Sequence, residues 1–475
     1  MKKSVIGNYL LNLFYQILVI ALPLITTPYV SNIFVPEVFG SYTYTQSYVT
    51  YFTLLGCIGI GLYGQREIAY VQDDQEKRSK LLFELVSLKA ITISIALACY
   101  LVFVGIYQTY LTLFLIQCID IIANMFDINF FYQGMENFKR IVSRNILIRI
   151  IGIICVFTLV KHESDLYLYV IIQSLSLLGG NLLMWCSLKK YIVKVKSKLE
   201  IKKHFKPTLI LFLPQIAVSI YTVLDRTMIG LLSDTAQCGL YEQAQKIVKL
   251  ALTIVTSLGT VMLPRIAAMY SQDHQEKIVE YIYTSLRFIL MIAIAMTFGL
   301  IAVADNLIPW FLDETYLGSI PILRISAPLC ILIGISNVIG LQFLLPTKKQ
   351  KEYTLSTIFG SLVNVCVNFL LIPSLLASGA ALASIIAEAA VTISQLYFVK
   401  DEIHFMKVLN QCKFYVLGAI LMFIVVYPCA SYLAPSMVNT LLCACIGVIV
   451  YFVVLIVCRE PLIYDFLNKL KRKEC

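Results

Sequence analysis

Charge is scarce in this chain of 475 residues. Charged side chains make up 14% and hydrophobic ones 59%, with a mean hydropathy of +0.82. That balance excludes a soluble domain of this length. Histidine is rarer still: His162, His204, His274 and His404 are the only four, and all read as loop residues, which leaves neither a haem nor an intramembrane zinc site. The 14 cysteines include no CxxC pair and no metal-ligand spacing, and Cys443 and Cys445 sit two apart on one helix. They read as reduced packing residues rather than disulfide partners. There is no GxxxxGK[ST] loop, so the chain does not hydrolyse ATP. Outward polar gaps are short, the longest running from about Asp305 to Gly318, too little to build an active site outside a membrane.

Long apolar runs recur from near Tyr9 to Cys458. Each crossing of ~30 Å of hydrocarbon needs ~20 apolar residues. About fourteen spans fit, starting near residues 9, 40, 81, 108, 143, 166, 207, 240, 281, 317, 353, 379, 414 and 439. Of the 38 Lys and Arg, 31 fall in every second gap or at the ends, six lie inside spans, and only Lys161 lies in the other gaps. This positive-inside pattern places both termini in the cytoplasm. Met1-Lys2-Lys3 before an apolar run resembles a signal peptide, but no small-residue cleavage site follows, so a retained first helix is expected. The net charge of +10 serves anionic headgroups rather than nucleic acid, because the cations flank helix ends. The expected fold class is an all-α polytopic membrane protein.

The longest polar break, Lys189 to Lys206, holds eight lysines and separates six spans from eight. The organisation expected from this is a six-helix bundle over 1–188, a basic cytoplasmic linker over 189–206, a second six-helix bundle over 207–400, and two further helices with a basic tail over 401–475. Spans 1 and 7 carry Pro23 and Pro214. Proline-interrupted helices at matching places in two halves point to a central site, although proline is also commoner in membrane helices generally.

Six cations lie within spans, Lys89, Arg149, Arg226, Lys246, Lys249 and Arg324, together with six anions, Glu84, Asp120, Asp127, Asp225, Glu242 and Glu388. Near the bilayer centre each charge costs ~2.5–3.5 kcal/mol. Glu242 and Lys246 are i,i+4 neighbours, and Glu84 and Lys89 are close enough to a helix end to snorkel. Arg149, Lys249 and Arg324 have no acidic neighbour at helical spacing. Two readings stay open: a cationic cavity that attracts a phosphate, or pairing with acids across helices. Polar stripes recur at Gln117, Asp120, Asn124 and Asp127, at Gln215, Ser219, Thr222 and Arg226, at Ser384, Glu388, Thr392 and Gln395, and at Asn364 and Asn368. They face a wet lumen or another helix. Gly59-Ile60-Gly61-Leu62-Tyr63-Gly64 matches GxGxxG but ends a span, which reads as close helix packing rather than nucleotide binding.

The segments Asp127-Ile128-Asn129-Phe130-Phe131-Tyr132-Gln133-Gly134-Met135-Glu136-Asn137-Phe138-Lys139, Leu224-Asp225-Arg226-Thr227-Met228-Ile229-Gly230, Tyr241-Glu242-Gln243-Ala244-Gln245-Lys246-Ile247 and Met262-Leu263-Pro264-Arg265-Ile266 resemble Wzx-type polysaccharide flippases of the multidrug/oligosaccharidyl-lipid/polysaccharide exporter superfamily. The resemblance implies two helical bundles in a MATE-like V around a central cavity, working by alternating access in a bacterial plasma membrane without catalysis. The implied substrate is an undecaprenyl-pyrophosphate-linked oligosaccharide repeat unit, moved to the outer leaflet for capsule or similar polymer assembly, with a polymerase and chain-length machinery as partners. The cavity cations implied are Arg226, Lys246, Lys249 and Arg324, with Arg149 from the first bundle. Asp120, Asp127 or Glu388 would bind a coupling H⁺ or Na⁺; no other cofactor is implied. An ion-coupled drug exporter of the same fold is the alternative, though a cationic cargo favours an acidic cavity. A membrane enzyme acting on the same lipid-linked sugar lacks the outward loop it needs, and a scaffold leaves the buried charges unexplained.

Overall fold

The computed structural model describes residues 22–271 and 275–464. The start of the first span, from Tyr9, therefore lies outside the described residues. Among these the secondary structure is helical throughout, as lipid requires of a chain that must satisfy its own backbone. The helices in chain order are α1 (22–33), α2 (Pro36–Cys57), α3 (Ile60–Tyr70), α4 (Gln75–Ile106), α5 (Leu111–Met125), α6 (Asn129–Gly134), α7 (Phe138–Leu159), α8 (Leu166–Cys186), α9 (Lys202–Leu232), α10 (Thr235–Ser271), α11 (Gln275–Leu312), α12 (Ser319–Ser326), α13 (Leu329–Ser336), α14 (Gln350–Phe398), α15 (Phe405–Tyr432) and α16 (Met437–Val457). A π-helical turn, Asn337–Leu344, follows α13.

Among the described residues, ten helical stretches are long and apolar enough to span a bilayer. One of them, α14, has 49 residues and would reach about 74 Å at ~1.5 Å per residue, far beyond one crossing. It breaks at Leu376 (φ 54°, ψ −135°), three residues after Pro373, and so supplies the two passes expected near 353 and 379. The more charged α9 and α10 begin close to the expected 207 and 240. The arrangement is consistent with about fourteen passes.

Local chemistry sets the breaks. Asp74 caps α4 by accepting a bond from Lys77 N at 3.0 Å, which holds its carboxyl below the usual range. Between α2 and α3 the chain turns through Ile58 (φ 36°) and Gly59 (φ 73°). A Cβ on Gly59 would lie 3.0 Å from the Thr208 carbonyl oxygen of α9, and one on Gly64 would lie 2.5 Å from the Phe130 ring. The GxGxxG segment is thus a helix break with close helix contacts.

The chain forms two compact units, Met1–Thr227 and Met228–Cys475, with the boundary inside α9. In the first unit one apolar cluster gathers Val30, Phe34, Leu113, Val156 and Tyr169, and another gathers Tyr63, Leu82, Phe131, Met184 and Phe212. The second unit has a continuous core from Ala251 to Leu455, which draws on α10, α11, α13, α15 and α16. There Glu460, just beyond α16, accepts bonds from Arg287 Nη2 of α11 at 3.1 Å, Tyr415 Oη of α15 at 2.7 Å and Ile463 N at 2.9 Å. That buried carboxylate ties the two last helices to α11.

Three expectations are corrected here. His204 is a buried residue in the first turn of α9, not a loop residue. Glu84 is also buried and bonds His204 Nε2 at 2.8 Å, so it does not snorkel to a helix end. Neither does Lys89, whose Nζ donates to Asp127 O at 2.9 Å and lies 3.5 Å from Asp127 Oδ2. In each case burial favours a partner on another segment over a reach to water.

Candidate functional site

In the first unit, α1, α7 and α8 line an open cavity of about 420 Å³ whose lining includes Pro23, Arg144, Asn145, Arg149, Gln173 and Asn181. The helices come close at Gly152, where a Cβ would lie 3.0 Å from Ser176 Oγ. Two arginines on α7 bring positive charge to this space. Arg144 donates from Nη1 to Asn181 Oδ1 at 3.0 Å and from Nε to Asn145 Oδ1 at 3.0 Å. Asn181 is itself set in place by donating to Ala123 O at 2.8 Å. Amide oxygens orient a guanidinium, and these bonds hold Arg144 in a fixed direction at the wall of the cavity. Arg149 is exposed into the same cavity. Planar donors of this kind match the oxygens of a phosphate or pyrophosphate.

Arg149 was recognisable as an intramembrane cation in the sequence. Arg144 was not, because it falls at the start of its span and reads as one more flanking positive charge. The Asn145–Arg149 spacing of four, which puts an amide and a cation on one face, was the available signal.

The other residues singled out have varied settings. Arg324 of α12 donates from Nη2 to Asp305 Oδ2 of α11 at 2.5 Å and from Nε to Ile301 O at 3.4 Å, and it lies 5.8 Å from the Tyr427 ring centre. It therefore shares its charge with a carboxylate from another helix. Arg226 is half-buried near the end of the first unit, while Lys246 is half-buried and Lys249 exposed on α10 of the second. Asp127 is committed to Lys89, and its Oδ1 also accepts from Asn129 N at 2.9 Å at the start of α6. Asp120 is buried on α5, facing Ser174 of α8 and Gln46 of α2. Glu388 is buried on α14.

Two stripe residues bond across helices: the Tyr241 and Ser384 hydroxyls meet at 3.2 Å, and Thr392 donates to Leu332 O at 3.2 Å. Within α14, Asn368 Nδ2 donates to Asn364 Oδ1 at 3.1 Å. The side chains of Gln215, Ser219 and Thr222 lie outside the described residues.

The pattern of the polysaccharide biosynthesis protein family matches residues 5–270. The chain belongs to this family. The pattern described as lipid II flippase MurJ also matches, over residues 147–453. Two relatives carrying the name "Putative O-antigen transporter" are each 24% identical: that of Escherichia coli (strain K12) over 80% of this chain and 93% of its own length, and that of Shigella dysenteriae over 80% and 96%. Among solved structures, the lipid II flippase MurJ in an inward closed conformation superposes with a TM-score of 0.74 at 18% identity, covering 96% of this chain and all of that one. An inward-facing multidrug resistance MATE transporter superposes at 0.66 and 14% identity, covering 84% and 98%. Both have the fold expected from the sequence.

Proposed function

We propose that the chain is a flippase for lipid-linked oligosaccharides, moving undecaprenyl-pyrophosphate-linked repeat units from the inner to the outer leaflet of a bacterial plasma membrane by alternating access. The observation that carries this reading is the cavity with Arg144 and Arg149 on one wall. A pyrophosphate needs directed cationic donors in a partly dry space, and the amide-held Arg144 provides them. The O-antigen transporter relatives and the lipid II flippase fold support the same reading. A drug exporter, the second possibility, fits the MATE superposition but not this cavity, since a cationic cargo is repelled by two arginines.

In this reading Arg226, Lys246 and Lys249 supply further cations. Arg324 contributes only by exchanging Asp305 for the substrate. Of the carboxylates considered for a coupling H⁺ or Na⁺, Asp127 is held by Lys89, so Asp120 and Glu388 carry that role. The polymer made downstream is a capsule or a similar surface polysaccharide, with a polymerase and chain-length machinery receiving the product. The test is accumulation of lipid-linked repeat units in cells lacking the protein. Build-up on the cytoplasmic leaflet, cured by wild type and not by Arg144→Ala/Arg149→Ala, is the expected result. Normal flipping in the cells without it overturns the proposal.

A further inference from the structure

The stretch between α8 and α9 reads in the sequence as a linker, with eight lysines and a single acid, Glu200, between residues 189 and 206. In the structure it is pinned to the N-terminal end of α4 by buried groups. Arg78 donates from Nε to Tyr191 O at 3.2 Å, Val193 N donates to Ser79 Oγ at 2.9 Å, and Glu200 N donates to Glu84 Oε1 at 2.7 Å. Glu84 is braced in turn by His204 Nε2 at 2.8 Å, and His204 Nδ1 by the Tyr63 hydroxyl at 2.8 Å. Four of these anchors, Arg78, Ser79, Glu84 and His204, are buried. The backbone is therefore held on both sides of residues 194–199, whose conformation is not that of a loose tether.

Pinning the backbone fixes what it displays. Lys194, Lys196 and Lys198 are all exposed along this irregular stretch. Behind them is a groove of about 450 Å³ whose lining combines apolar Phe83, Ile192, Val195 and Leu199 with Lys189 and Lys194. Among the described residues none of Lys189, Lys190, Lys194, Lys196 and Lys198 forms an ion pair. Glu200 is already taken, 3.2 Å from Lys203 and 3.6 Å from Lys80, and its carboxyl is held below the usual range by the Lys203 hydrogen bond and charge. One turn before Lys189, Trp185 donates its indole N–H to Phe126 O at 2.8 Å, a residue type that marks the headgroup level of a bilayer.

We propose that this pinned segment is a binding site for an anionic phospholipid, with an acyl chain on the Phe83–Ile192–Val195–Leu199 floor and the charged headgroup among Lys189, Lys194, Lys196 and Lys198. The site combines apolar and cationic surface at headgroup depth, which suits a lipid better than a soluble anion. It stands independently of what the protein transports.

The experiment is native mass spectrometry of the purified full-length protein titrated with dioleoylphosphatidylglycerol or dioleoylphosphatidylcholine. The wild type is expected to retain the glycerol lipid in preference. Lys189→Ala/Lys194→Ala/Lys196→Ala/Lys198→Ala, a surface change that spares the fold, should weaken retention on the order of tenfold or more, whereas the distant Lys348→Ala/Lys351→Ala should not. Glu84→Gln, which keeps every lysine but loosens the anchor, should weaken it as well. Equal binding of both lipids, an unaffected quadruple variant, or an equal loss in the distant control overturns the proposal. So does displacement by inorganic pyrophosphate as effective as by lipid, since the apolar floor would then contribute nothing.

Discussion

Arg324 and Asp305 meet between α12 and α11 at 2.5 Å, nineteen positions apart in the chain. The guanidinium thus has a carboxylate partner that no helical spacing reveals. Both side chains are about a third exposed, so the pair is a semi-buried contact whose value depends on how much water reaches it. Asp305→Ala should destabilise the second unit, and adding Arg324→Ala should recover part of the loss. A double-mutant cycle on thermal unfolding is expected to give a coupling of about 0.5–3 kcal/mol. A coupling near zero would return Arg324 to the set of cations free to meet substrate.

The cavity arginines should behave differently. Arg144→Ala and Arg149→Ala are each expected to cut flipping of a lipid-linked oligosaccharide at least tenfold in reconstituted vesicles while leaving thermal unfolding nearly unchanged. Arg144→Lys should recover little, because a single ammonium cannot reproduce the fork held by Asn145 and Asn181. Full activity in Arg144→Lys would show that charge alone suffices.

Glu460 carries three hydrogen bonds and is buried. Glu460→Gln leaves the Arg287 charge without its counterion, and removing one partner from a buried pair typically costs about 3–5 kcal/mol. Thermal unfolding should fall sharply, and proteolysis of the α15–α16 pair should precede that of the rest. Unchanged melting would mean that water reaches Arg287 freely.

Gly134 ends α6 where a Cβ would lie 2.7 Å from the Gln65 carbonyl oxygen and 2.8 Å from Ile68. The first of these is backbone, which does not step aside as a flexible side chain does. Gly134→Ala should therefore cost about 1–3 kcal/mol, read as a lower melting temperature with the cavity arginines untouched. A neutral result would show that α3 and α6 separate easily.

Much of the fold was legible before any coordinates. The apolar runs and the spacing of Lys and Arg located the helices, because a bilayer demands a minimum length and sorts positive charge by side. Of the two cysteines on α16, Cys443 is buried and packs in the core, whereas Cys445 is exposed. Less legible was the candidate site. Arg149 stood out as a charge inside a span, whereas what sets Arg144 apart from a flanking cation includes its bond to Asn181, 37 positions away. His204 looked like a loop residue because the lysines around it masked the first turn of α9.

The sequence by itself determined that this is a polytopic helical membrane protein, where its helices lie, and that charge is kept inside them, since these follow from local composition and the uniform demands of lipid. Only the tertiary structure decided which charges answer one another: Lys89 with Asp127, Arg324 with Asp305, Glu84 with His204, and Arg144 with Asn181. Such pairings depend on how each helix is rotated and which neighbour it packs against. Those are properties of the packed side chains as a whole, to which no short stretch of sequence holds the key.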